Sequence, residues 1–364
     1  MLSRRLFAAS LVVIACFTVR PSTGVRAATD FPARLTDPEF WALTEQLSEP
    51  GGSFRSDNFL SNERGYQTVI PGLVGRIKAG DAYIGVGPEQ NFPYIVALKS
   101  RIAFIIDIRR GNLHEHLLYK ALFEMSADRA DFLSRLFSRK RPAGLSRTST
   151  VEELFTAYDA AQPSEELYAQ NLRAVVDWLK KKHKFPLDDE DVNGVEYVYH
   201  RAFFLGGPNL NYGVGRGAGF GGNAPTYEEL MLAQDGRGQN RGFLASEDSF
   251  GFLKSLETNN LLIPVVGNFG GPKAIRAVGQ YVKDHGGTVV AFYLSNVEQY
   301  LIQDDIWDKF CASVATVPLD DTSTFIFSGR GGPNGSGAAF GRGRGLQTAT
   351  RPILPEVTSC AVAQ

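Results

Sequence analysis

The chain has 364 residues, 43% hydrophobic and 21% charged, with a formal net charge of −1. Such a length and apolar content allow one large domain or two small ones, either with a sizeable buried core. Near-neutral to acidic charge argues against a general nucleic-acid binder, which needs a basic surface.

The first residues, MLSRRLFAASLVVIACF, place Arg4 and Arg5 before the apolar run Leu6–Val19, the pattern of an export signal. That run is shorter than the roughly 20 residues a membrane-spanning helix needs. Two processing readings stand. Val25-Arg26-Ala27 offers a general cleavage site that makes residues 1–27 the signal. Val13-Ile14-Ala15-Cys16 resembles a lipobox, which would leave Cys16 lipidated and give the protein its single route to a membrane. Either predicts an exported protein: periplasmic, secreted or lipid-anchored to the cell envelope. Cleavage after Ala27 makes the chain more acidic, since four arginines and no acid leave with it.

Residues 21–33 read as a linker, and an α/β domain is expected over 34–328. Thr36-Asp37-Pro38-Glu39 is a helix start, with Phe40, Trp41, Leu43 and Leu47 as its apolar face. Ser56–Ile77 reads as a loop and a helix interrupted by Pro71. From Asp81 a strand–helix rhythm sets in. Ala82–Val86 is a short apolar strand, and Phe92–Leu98 is apolar at helical spacing. Ile102–Ile108 is nearly all apolar and β-branched, as in a strand covered on both faces. Leu113–Phe137 has the period of one long helix.

Residues 139–235 break the rhythm. Val151–Ala160, Glu165–Lys182 and Asp189–Phe204 are helical in pattern, and the glycine-rich loop Gly206–Pro225 follows. This predicts a helical insertion over the sheet. Strands return at Leu261–Val266, Thr288–Leu294 and Thr322–Ser328, with a helix over Pro272–His285. Ser295 and Glu298 are spaced as a capping box for a further helix. Residues 329–364, rich in Gly and Arg at first, read as a flexible tail. Cys311 and Cys360 either pair, strapping that tail to the body, or stand as separate thiols. The alternation predicts a doubly wound, mostly parallel α/β sheet.

The chemistry concentrates in DAYIGVGPEQNFPYI, Asp81–Ile95. Gly85 and Gly87 would end a strand in a turn tight enough for backbone to approach a ligand, with Glu89 and Asn91 opening the next helix. Asp107 ends the following strand about 20 residues after Gly87, where doubly wound folds hold the two hydroxyls of a ribose. Arg109 and Arg110 beyond it bind an anion or pair with surface carboxylates. No GxSxG occurs, so a serine-nucleophile elbow has no sequence signature. His114-Glu115-His116 places its histidines on different sides of a helix, unlike a metal pair. Asp189–Gly194 matches the start of a calcium loop, but position twelve is His200, so acids in a helix's first turn is the simpler reading and no metal is expected.

These stretches resemble the first two motifs of class I S-adenosylmethionine-dependent methyltransferases, which implies a Rossmann-like fold. In that resemblance Leu261–Val266 and Thr288–Leu294 stand for the fourth and fifth strands, and Arg241–Ala245 for a short third. Ala312–Val317 and Thr322–Ser328 would be the terminal hairpin. YIGVGPEQNFPYI, FIIDIRRGNL and AFYLSNVEQYL are also similar to a family of exported bacterial proteins. The resemblance implies S-adenosylmethionine or another nucleoside-containing ligand on Gly85, Gly87, Glu89, Asn91 and Asp107, with Asn268 and Tyr293 facing the methyl acceptor. Two positions depart from the pattern: Tyr83 replaces an acid, and Glu89 replaces the third glycine. With the export signal, these departures imply the alternative of an envelope binding or scaffold protein that keeps the fold without catalysis.

Overall fold

The structure is a computed structural model that describes residues 30–212, 224–329 and 346–362. The expected signal with Cys16, most of the glycine-rich loop and the Gly/Arg-rich stretch after residue 329 lie outside the described residues.

Six strands form one mixed sheet: β1 (Ala82–Gly85), β2 (Ile102–Asp107), β3 (Leu262–Val266), β4 (Val289–Ser295), β5 (Thr324–Gly329) and β6 (Gln347–Pro352). Their order is β3-β2-β1-β4-β5-β6. The first five are parallel, and β6 is antiparallel to β5. All residues of β1, β2 and β3 are buried, which explains why they read as continuous apolar runs rather than alternating ones.

Around and between the strands run α1 (Asp37–Leu47), α2 (Ile70–Arg76), α3 (Asn91–Leu98), α4 (Arg110–Met125) and α5 (Arg129–Phe137). The insertion carries α6 (Val151–Ala160), α7 (Glu165–Asp177), α8 (Asp189–Val198) and α9 (Tyr227–Met231). α10 (Glu247–Thr258) returns to the sheet, followed by α11 (Ala274–Asp284), α12 (Val297–Gln303), α13 (Trp307–Val314) and α14 (Ile353–Val362). α1 starts as its sequence predicts: Thr36 and Glu39 form a reciprocal capping box.

Several expectations are corrected. The helix expected over Leu113–Phe137 is two helices, because the Asp128 side chain caps α5 and the chain at Ser126 is extended. Arg241–Ala245 is a turn and not a strand. Phe243 is apolar because it plugs into an aromatic core around Phe92 and Phe123. Leu262–Val266 is therefore the third strand and Val289–Ser295 the fourth. The stretch from Ala312 is helical, since Phe310 and Val314 repeat at helical spacing and are both buried. The antiparallel partner of β5 comes instead from residues expected to be flexible. Arg351 anchors that segment, bonded to Glu298 at 2.9 Å and Glu356 at 2.7 Å, with its guanidinium 4.3 Å above the Phe327 ring. Cys311, beneath α14, is buried and disulfide-bonded, with its partner sulfur outside the described side chains. Asp191, in the stretch that matches the start of a calcium loop, bonds Arg110 at 2.7 Å and His114 at 2.8 Å across α4 and α8.

One buried network ties the insertion to the sheet. Glu124 on α4 accepts from Trp178 Nε1 at 2.8 Å, Lys182 Nζ at 3.0 Å and His183 Nε2 at 2.7 Å. Its other oxygen lies 2.8 Å from Lys120, and His183 Nδ1 lies 2.8 Å from Asp37 on α1. No helix among the described residues is long and apolar enough to cross a membrane.

Candidate functional site

β1 to β3 are laid outward in one direction, and the chain then returns to place β4 on the free side of β1. Loops leaving β1 and β4 diverge at that reversal, and a cleft opens at the carboxyl ends of the strands. Its volume is about 210 Å³. Gly87 and Pro88 line it after β1, Asp107 and Arg109 after β2, Asn268 after β3, and Tyr293, Ser295 and Tyr300 from β4 onward. Residues 53–62, ahead of the first strand, cross above it and contribute Phe54, Asn58, Ser61 and Asn62.

The loop after β1 is built around Asn91. Its Oδ1 accepts from the Tyr83 hydroxyl at 2.9 Å, and its Nδ2 reaches the carbonyls of Val86, Gly87 and Pro88 at 3.0, 3.3 and 2.7 Å. Gly85 is glycine because a Cβ there would sit 1.8 Å from Asn91 Oδ1. Gly87 is glycine for its backbone, at φ +77° with open space beside it. Of the five residues expected to hold a cofactor, Gly87 and Asp107 thus line the cleft, while Gly85 and Asn91 shape its loop from behind. Glu89 points inward. It is fully buried, neither carboxyl oxygen has a hydrogen-bond partner among the described residues, and burial pushes its pKa up to about 8. Tyr83, in place of the usual acid, serves Asn91.

Replacing Gly85 by alanine is expected to expel the Asn91 side chain, leaving three loop carbonyls and a buried phenol without their partner. The loss should be at least about 2 kcal/mol in urea unfolding, since each buried polar group left unmatched costs about 1–3 kcal/mol. An unchanged midpoint would show that the loop stands without its asparagine.

Asp107 is forked by Arg109, two residues on. Oδ1 accepts from the Arg109 backbone N–H at 2.8 Å and from Nε at 3.0 Å, and Oδ2 accepts from Nη2 at 2.8 Å. Both side chains are about nine-tenths buried. Burial works against the Arg109 charge, but the Asp107 carboxylate more than offsets it and holds the guanidinium's pKa above its ordinary value. Three of roughly four acceptor positions on the carboxylate are already filled. Asn268 and Tyr293 do face the cleft. Asn268 Oδ1 accepts from Gly270 N–H at 2.9 Å, closing its own turn, and its backbone N–H donates to Glu49 at 2.8 Å.

The capping box expected at Ser295 and Glu298 does not form. Asn296 is the N-cap of α12 and makes no side-chain cap bond. Glu298 pairs with Arg351, and Ser295 Oγ donates to Glu63. Glu63 was invisible to sequence reasoning, because it lies in a segment read as loop and its partner is distant in the chain. The histidines of the HEH stretch separate as expected: His114 bonds Asp191, and His116 donates to the Gly87 carbonyl at 3.0 Å, with burial lowering its pKa to about 4.

The fold and cleft define a mixed α/β protein with a candidate site at the strand reversal. Residues 58–332 match the family described as a domain of unknown function, DUF7790. The chain belongs to that family. No curated protein matches it.

Proposed function

We propose that this protein is a Rossmann-like, methyltransferase-type domain whose cleft takes a nucleoside-containing ligand, S-adenosylmethionine first among them, for methyl transfer to a small acceptor. The observation that carries the reading is Asp107 at the carboxyl end of β2, opening with the positive-φ turn of Gly87 onto one cleft beside the strand reversal. Parallel strands in the order β3-β2-β1-β4-β5 with an antiparallel edge support the same fold. In this reading Gly87 lets the loop backbone approach the ligand, Asp107 uses its remaining acceptor position on a ribose hydroxyl, and Asn268 and Tyr293 border the acceptor. Methyl transfer rests on proximity and alignment, so it asks little more of the side chains.

A second reading is favoured by the Asp107–Arg109 fork. An acid already held by three donors suits a binding or scaffold protein of the cell envelope that keeps the fold without catalysis. Export points the same way, since S-adenosylmethionine is a cytosolic product.

Calorimetric titration of the mature protein with S-adenosylmethionine and S-adenosylhomocysteine separates the two. Binding is expected, and Asp107→Ala should weaken it by about 1–3 kcal/mol through loss of a charge-assisted bond. Folded protein that binds neither compound at millimolar concentration removes the methyltransferase reading and leaves the scaffold.

A further inference from the structure

The carboxyl end of β4 carries chemistry that the cofactor reading does not use. Ser295 has φ +50°. Among the other non-glycine residues with positive φ, Lys99 and Ser138 close helices, and Asn58 and Asn260 are of the type that tolerates it. Ser295 instead ends a strand. The β4–β5 register shifts between Tyr293 and Ser295, and α12 begins two residues later. A strand, one residue in the left-handed region and then a helix is the strained turn that lifts a serine hydroxyl clear of a sheet. It forms here without the flanking glycines that usually mark it, so sequence carries no trace of it.

The hydroxyl lies between two environments. On one side is the cleft, which Ser295 lines. On the other is Glu63, fully buried, whose Oε1 accepts from Ser295 Oγ at 2.5 Å. Hydroxyls bond this carboxyl, from Tyr293 and Ser295 on β4, Ser328 on β5 and Thr348 on β6, and the Tyr83 and Tyr94 rings of β1 and α3 lie near enough to feel its charge. The five histidines are engaged elsewhere, with Asp191, Gly87, Glu124, Tyr168 and Tyr281. Among the described residues, the carboxyl that Ser295 Oγ bonds is Glu63, which places Glu63 as its base.

We propose that Ser295 is a nucleophile and Glu63 its general base, making the cleft a serine site for acyl transfer from esters to water. As Ser295 Oγ bonds to the ester carbonyl carbon, its proton passes to the Glu63 carboxylate. The carbon–oxygen bond to the alcohol breaks as Glu63 returns that proton to the leaving oxygen. Water then attacks the acyl-serine, giving its proton to Glu63, which hands it back to Ser295 as the acid departs. Water is the only co-reactant, so the step needs nothing from the cytosol and stands independently of nucleoside binding. Burial raises the Glu63 pKa against the pull of the surrounding hydroxyls, and a base lifted towards working pH is the better proton acceptor.

The test is labelling of the folded protein with an alkyl fluorophosphonate, in which Oγ–P forms and P–F breaks. Intact mass and peptide mapping of wild type should place one adduct on Ser295, and Ser295→Ala should carry none. Glu63→Gln, which keeps the shape and the hydrogen bond, should label about 100-fold more slowly. No adduct on folded wild type, an adduct only on another serine, or equal rates in wild type and Glu63→Gln overturns the proposal. Hydrolysis of p-nitrophenyl acetate supplies the turnover readout and should vanish in Ser295→Ala.

Discussion

Glu124→Ala is expected to lower the unfolding free energy by about 3–5 kcal/mol, the usual cost of leaving one member of a buried ion pair alone. Lys120 would keep its bond to the Glu257 carbonyl and its place 5.0 Å from the Phe40 ring, but lose its only carboxylate within ion-pair distance among the described residues. Trp178, Lys182 and His183 would lose a common acceptor at the same time. Because these three belong to the insertion and Lys120 to the sheet's own helix, the insertion should loosen first, seen as a change in tryptophan fluorescence ahead of the main urea transition. Burial pushes the Glu124 pKa up, but the His183 bond, the Lys120 charge and the other donors win and hold it well below the usual carboxylate range. The folded pKa therefore lies below the unfolded one. The stability it contributes is complete above about pH 4.5 and is lost as pH falls further. Wild type should thus lose stability more steeply below pH 4.5 than Glu124→Gln does. A Glu124→Ala variant within about 1 kcal/mol of wild type would mean the network holds nothing together.

Glu89→Gln is expected to stabilise the protein, by about 3 kcal/mol at pH 7. Here the sign is opposite. Burial raises the folded pKa to about 8, above the unfolded value, outweighing the pull of its own backbone N–H. Stability is full below about pH 4.5 and falls as pH rises, by up to about 1.4 kcal/mol per pH unit, levelling off above pH 8. Glutamine has the same shape and stays neutral, so the gain should vanish at pH 4 and approach about 5 kcal/mol at pH 9. Denaturant unfolding at these three pH values decides it. A gain that is independent of pH, or a loss at pH 7, would show that Glu89 is not held neutral inside the fold. Nearby Glu115 is pushed up by its own burial and by the Glu89 charge, so the substitution relieves both groups.

Much of the strand pattern was legible because burial on both faces writes itself into composition. The strand Ile102–Asp107 could be read from the nearly all-apolar run Ile102–Ile108, and α6 from its periodicity. The capping box of α1 is equally local, as its partners are three residues apart. Reading failed where an apolar or polar residue answers to something distant. Phe243 and Leu244 imitate a strand but are buried in a turn, Phe243 among the rings of Phe92 and Phe132. Gln347–Pro352 reads as tail, yet pairs residue for residue with β5. Glu298 and Ser295 have the spacing of a cap, yet each is claimed by a residue far along the chain.

The candidate site divides on the same line. Sequence alone determined the alternation of strands and helices, the glycine at Gly87 and the acid at the end of β2. These follow from side-chain period and backbone sterics, which act within a few residues. Only the tertiary structure decided the order of the strands, and with it that β4 lies beside β1 and opens the cleft. It also decided which polar groups look into that cleft: Asp107 locked to Arg109, Glu89 turned away, and Ser295 raised over Glu63. Buried polar atoms must find partners wherever the packed chain brings them, and no local pattern records which partner that will be.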